Sequence, residues 1–98
     1  MDRATRVVVT IIAEQALEPL LVRDLDALGV PGYTITDARG RGQRGARGST
    51  SAEGGNIRCE VVCNRRLAAS ILAHLELVYA DHYAMISFVT EVVAPLDP

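Results

Sequence analysis

The stretch RVVVTII, Arg6 to Ile12, sets the strongest limit on the fold. Six consecutive β-branched residues leave no polar alternation, so it reads as a central strand covered on both sides. The residues that follow must supply the cover. Leu17, Leu20, Leu21, Leu25 and Leu28 recur at helical spacing, with Pro19 in the first turn and Gly29 as the C-terminal stop. VPGYTITDAR opens with turn chemistry and becomes an alternating strand, with Tyr33, Ile35 and Asp37 opposite Thr34 and Thr36. NIRCEVVC alternates too: Ile57, Cys59, Val61 and Cys63 face one way, Arg58 and Glu60 the other. Asn64 is a good helix N-cap before an apolar stripe of Leu67, Ile71, Leu75 and Val78, and YAMISFVTEVV reads as a last strand.

The order β-α-β-β-α-β predicts an α+β chain, one domain over residues 1–98, in the ferredoxin-like arrangement. That is a four-stranded antiparallel sheet with two helices on one face. The helices cover one face only, yet strands one, three and four carry apolar residues on both sides. A symmetric oligomer would bury the second set.

Composition fits a packed aliphatic core: 49% of the 98 residues are apolar, 22% are charged, and tryptophan is absent. This excludes a disordered chain. Cys59 and Cys63 would lie ~13 Å apart along one strand face, too far for a disulfide or a shared metal ion, and read as small core residues. The opening MDRATRVVVTIIAEQA has a short apolar run with Glu14 after it, so it reads as a buried strand and not a signal peptide. No apolar run reaches the ~20 residues of a membrane helix. A cytoplasmic location without membrane insertion is the expectation.

Charge is unevenly placed. From Arg39 to Arg58 there are five arginines and one acid, a local +4, while the remainder carries −6. ARGRGQRGARG, residues 38–48, lies where roughly sixteen residues separate strands two and three, far more than a hairpin of two to five needs. Three readings stand for it: a solvated flexible connection, an arginine-glycine segment that binds RNA, or a loop closing around a phosphate. Glycines let backbone N–H groups converge on an anion, and arginine forks match phosphate oxygens. The RNA reading lacks stacking aromatics in the loop and on the sheet.

GYTITDARGRGQRGAR, followed by NIRCEVVC and YADHYAMISFV, resembles the PII-like signalling proteins over nearly the whole chain. The likeness points to the carbon-regulatory branch, which includes the bicarbonate-transporter regulator SbtB and the carboxysome-associated PII proteins. It implies a homotrimer that binds adenine nucleotides in its intersubunit clefts. The long connection, about 40–55, then corresponds to the family's T-loop. Carried over by position, Gln43, Arg44 and Arg47 would hold phosphate with Gly42, supported by Arg41 and Arg58. Thr34 and the segment Tyr83-Ala84-Met85-Ile86 would meet the adenine, the latter largely through backbone groups.

Nitrogen-regulatory PII proteins carry a second glycine-rich phosphate loop with a lysine before the last strand, where this chain has YADHYAM. The resemblance therefore implies AMP, cyclic AMP or ADP at least as readily as ATP, and no metal. The T-loop stretch has no tyrosine for uridylylation, and redox control through a cysteine-bearing tail is not expected. The implied partner, reached through the T-loop, is a membrane bicarbonate transporter or another protein of an inorganic-carbon system. Bicarbonate itself is compatible as a second ligand, although no residue demands it.

Enzymatic readings fare worse. Acylphosphatases share the topology but cradle phosphate between the first strand and first helix, where this chain has the acidic AEQALE. His74 and His82 have no partner spacing for zinc, and Asp81-His82 lacks an accompanying nucleophile. Tyr79 and Tyr83 read as subunit-interface packing more than nucleotide stacking. The expected protein is a regulator and not an enzyme, with an arginine-glycine RNA- or protein-binding module as the alternative.

Overall fold

The β-branched run becomes β1 (Arg6–Glu14), hydrogen-bonded on both sides: to β3 (Asn56–Asn64) and to β4 (Ile86–Glu91). A computed structural model describes residues 6–40 and 55–93. A short 3₁₀ turn leads from β1 into α1 (Glu18–Leu28), followed by β2 (Thr34–Ala38). After β3 comes α2 (Arg65–Val78), and β4 closes the order. The sheet runs β2-β3-β1-β4 with every neighbouring pair antiparallel, the ferredoxin-like topology that the element order predicts.

Local chemistry sets the helix ends. Pro19 lies in the first turn of α1, where its missing N–H costs nothing, and Gly29 terminates it at φ 80°. The Asn64 side chain accepts from the Leu67 N–H at 2.8 Å and starts α2.

Register decides which side chains share a face. Val7, Val9, Ile11 and Ala13 of β1 pair with Cys63, Val61, Cys59 and Ile57 of β3. All eight are buried, under Leu21 and Leu25 of α1 and Ala68, Ile71 and Leu75 of α2. The helical stripes need two corrections. Leu20 and Val78, expected inward, are exposed at the rims, and Tyr79 is buried in place of Val78. The 71-75-79 spacing of four, not the step of three to Val78, follows the buried side at the end of α2. Tyr79 therefore packs inside its own chain, where its expected place was a subunit interface.

The opposite face carries no helix of the described residues. Val8, Thr10 and Ile12 stand there beside Arg58, Glu60 and Val62 of β3 and Ile86, Phe88 and Thr90 of β4. Val62 is 45% exposed, Ile86 43% and Phe88 38%. No helix among the described residues is long and apolar enough to cross a membrane.

Candidate functional site

Among the described residues, two hollows flank β2, and register places them at its opposite ends. Pairing of Thr36 with Arg58, Arg58 with Ile12 and Ile12 with Ile86 makes one cross-strand row. At its end, where the long β2–β3 connection leaves the sheet, lies a cavity of about 200 Å³ lined by Arg39, Gly40, Asn56, Arg58 and Ile86 among others. The Gln15 N–H donates to Gly55 O at 2.9 Å, which ties the return of that connection to the end of β1. Arg58 sends Nε and Nη2 to Glu60 Oε2 at 3.4 and 3.3 Å, two residues along the same strand face.

A larger hollow, about 540 Å³, lies at the other end of β2 and is bounded by Arg6, Tyr33, Thr34, Glu60, Val62 and Leu67 among others. β2 stops pairing at Thr34 opposite Glu60, while β3 continues to Asn64. Val61 to Asn64 thus have no strand of the described residues beside them on that side, and their backbone edge borders the hollow.

The structure brings Arg58 and Ile86 together in the smaller cavity and places Thr34 in the larger one. Thr34 lies on β2 and Ile86 on β4, three inter-strand spacings apart in the sheet order, or about 14 Å. One small ligand base does not touch both within one chain. Tyr83 and Met85 pack against the core, and the Tyr83 N–H already donates to Tyr79 O at 3.0 Å. Ala84 is half-buried beside them. Arg41, Gly42, Gln43, Arg44 and Arg47 lie outside the described residues.

The sequence reading missed Arg39, Gly40, Asn56 and Glu60 as lining residues. Arg39 and Gly40 belong to the same arginine-glycine run, so their signal was present. Asn56 is 4% exposed and its Oδ1 has no hydrogen-bond partner among the described residues, which only the fold reveals. No group of three metal-ligating side chains occurs among the described residues.

Beneath the site, α1 and α2 are tied by a polar cluster. Asp24 Oδ2 accepts from the Tyr79 hydroxyl and lies 2.9 Å from His74 Nε2. Burial pushes the Asp24 carboxyl up, but the bonds to Tyr79 and His74 and the charges of His74 and Arg23 outweigh it and hold the group below its ordinary value. The Tyr79 ring lies 5.9 Å from that of Tyr83, and Tyr79 O accepts from the N–H of both His82 and Tyr83. The turn before β4 is thereby anchored to both helices.

Comparison with known proteins agrees with this geometry. The family described as nitrogen regulatory protein P-II matches residues 6–94. No curated protein sequence matches. A PII-like signalling protein of Thermus thermophilus is 42% identical in sequence, the match covering 89% of this chain and 85% of that one with TM-score 0.74. CPII of Thiomonas intermedia, in a structure bound to ADP and bicarbonate, is 23% identical over 89% of this chain and 85% of that one, with TM-score 0.76. A DUF3240-family protein of Shewanella baltica is 17% identical over 100% of this chain and 99% of that one, with TM-score 0.72. The last two likenesses are of fold.

Proposed function

The chain belongs to the nitrogen regulatory protein P-II family, and on that premise we propose that it is a non-catalytic adenine-nucleotide sensor working as a homotrimer. The uncovered sheet face carries this reading. Its exposed Val62, Ile86 and Phe88 call for cover, and three copies around one axis supply it. The same packing answers the separation of Thr34 from Ile86: Thr34 of one subunit meets the Tyr83–Ile86 segment of its neighbour, and the nucleotide lies between them. The hollow beside Thr34 has the size of a small-ligand site. The backbone edge of Val61 to Asn64 offers hydrogen-bonding groups to the rim of an adenine.

Phosphates then reach the base of the long connection, where Arg41, Gly42, Gln43, Arg44 and Arg47 follow directly on Gly40, with Arg58 at the cavity wall. Each charge-assisted hydrogen bond contributes about 1.5–3 kcal/mol, against about 1–2 kcal/mol for each backbone residue ordered. A few phosphate contacts therefore order the base of the loop and leave its tip to a partner. The nucleotide shifts the loop only by its differential affinity for the two loop states. AMP, cyclic AMP and ADP bind at least as well as ATP, since YADHYAM supplies no second phosphate clamp. The binding of ADP, AMP and bicarbonate by CPII supports an adenine-nucleotide effector and a partner in inorganic-carbon handling, such as a membrane bicarbonate transporter reached from the cytoplasm.

Calorimetric titration with AMP, cyclic AMP, ADP and ATP tests the reading, beside an Arg44→Ala, Arg47→Ala variant. Binding near one nucleotide per chain, lost in the variant, is expected. Failure of all four ligands on the unaltered protein would remove the nucleotide assignment.

A further inference from the structure

Residues 79–85 cross from α2 to β4 without a helix or strand of their own, and they include most of the segment placed against the adenine. Tyr79 fastens this turn. Its carbonyl accepts from the His82 and Tyr83 N–H groups, each at 3.0 Å, and its ring lies 5.9 Å from that of Tyr83. At its other end the Tyr79 hydroxyl donates to Asp24 Oδ2, which also meets His74 Nε2 at 2.9 Å. The His74 ring packs edgewise on the Tyr79 ring, centroids 6.3 Å apart. Contacts therefore run unbroken from His74, on the helical side, to the turn. The His74 side chain is 29% exposed and can exchange a proton with water, while that of Asp24 is 13% exposed.

We infer that Asp24 and His74 are positioning residues for the nucleotide, acting through Tyr79 on the 79–85 turn, and that a proton on His74 favours the binding form of that turn. The inference deepens the nucleotide-sensor reading and rests on it. A neutral imidazole carries one N–H, and the tautomer protonated on Nδ1 turns a lone pair toward Asp24. The imidazolium donates from Nε2 in every case and adds its charge to the bond. Histidine is the side chain whose charge ordinarily changes between about pH 5 and 8. Among the described residues it faces Asp24 of α1 and Tyr79, with Tyr83 behind Tyr79 and Arg23 3.6 Å from the other Asp24 oxygen. An arginine stays charged throughout that range. Protonation of His74 thus fixes the carboxylate on which the Tyr79 hydroxyl ends, and Tyr79 fixes the turn. A ligand that binds one form of the turn gains affinity as that form is populated. By reciprocity, the nucleotide raises the proton affinity of His74 by the same factor.

The test follows the histidine ring protons by NMR through a pH titration of the full chain, with and without saturating ADP. The chain has two histidines, and His82→Gln assigns their signals. ADP should move the His74 midpoint upward by about 0.3 units or more, a coupling of about twofold. Tyr79→Phe keeps the ring and the carbonyl but cuts the line at the hydroxyl, so it should bind ADP without moving the His74 midpoint. A midpoint that ADP leaves in place, or an equal shift in Tyr79→Phe, would overturn the inference; the second result assigns the shift to the charge of the ADP phosphates alone. Where Tyr79→Phe does not fold, His74→Gln decides. From about pH 8 to pH 5, ADP affinity should rise about twofold more in the unaltered protein than in His74→Gln, and equal rises sink the inference. ADP binding without this coupling removes the positioning role and leaves the nucleotide reading standing. Absence of ADP binding by the unaltered protein removes both.

Discussion

The Tyr79 hydroxyl, just past α2, donates to Asp24 Oδ2 on α1, a pairing across 55 residues of sequence that clamps the two helices over the sheet. Tyr79 is 2% exposed, so water does not replace a lost partner there. Tyr79→Phe keeps the ring and removes the donor, at an expected cost of about 1–3 kcal/mol. The check is a lower urea midpoint with an unchanged slope. The pH dependence has a definite sign. Burial, then Asp24, pushes the Tyr79 phenol up to about 12 from its ordinary 10.0. Its contribution is complete below the ordinary value and is lost as pH rises from there toward about 12. Asp24, held below its ordinary 3.8, contributes above that value and loses its contribution as pH falls through the lower one in the folded state. Unaltered protein and Tyr79→Phe should therefore converge in stability at the alkaline end.

Features set by neighbours in sequence were legible and those set by distant contacts were not. Pro19, Gly29 and Asn64 act within a helical turn, so their residue types announce the helix ends. The alternation of NIRCEVVC likewise matches the buried and open faces of β3. At the helix rims the pattern is ambiguous: Leu20 lies beside Leu21, and Val78 beside Tyr79, so spacing alone does not say which turns inward. The Asp24, His74 and Tyr79 cluster joins residues 50 and 55 positions apart, beyond any local pattern. The family resemblance puts Thr34, Arg58 and Ile86 in one site, but strand order separates Thr34 from Ile86 and register separates it from Arg58. The orphaned Asn56 carboxamide has no signature in composition at all.

Cys59 and Cys63 are both free and buried against the helices. Burial first, then Glu18 and Glu60, raises the Cys59 thiol to about 11, and burial raises Cys63. Little thiolate exists near neutral pH, and the thiolate is the reactive form. A thiol reagent should label neither residue in the native protein over minutes, and both on addition of denaturant. Rapid native labelling would place at least one of them outside the core.

Gly29 holds a left-handed conformation at φ 80°, with no atom near the place a Cβ would occupy. Gly29→Ala therefore tests backbone strain without a steric clash. The expected loss is about 1 kcal/mol, read as a lower melting temperature with unchanged far-ultraviolet circular dichroism. No loss would mean that the C-terminal turn of α1 relaxes to accept a side chain.

Phe88 stands on the open face in the row Thr34, Glu60, Thr10 and Phe88, next to the row that ends in Ile86. Its side chain points away from the helix-covered core, so Phe88→Glu should leave the folded chain intact while placing a carboxylate in the face proposed as the trimer interface. A charge buried there without a partner costs several kcal/mol per interface, more than one such contact recovers. Light scattering should report three chains for the unaltered protein and one for Phe88→Glu, with circular dichroism unchanged. Leu77→Glu is the control, because Leu77 is 86% exposed on α2, and it should remain trimeric. If the proposed intersubunit site holds, nucleotide binding should vanish with the trimer, since Thr34 and Ile86 lie too far apart in one chain to meet one ligand base. A monomeric Phe88→Glu that still binds nucleotide would place the whole site within one chain, and a trimeric one would move the interface to another surface.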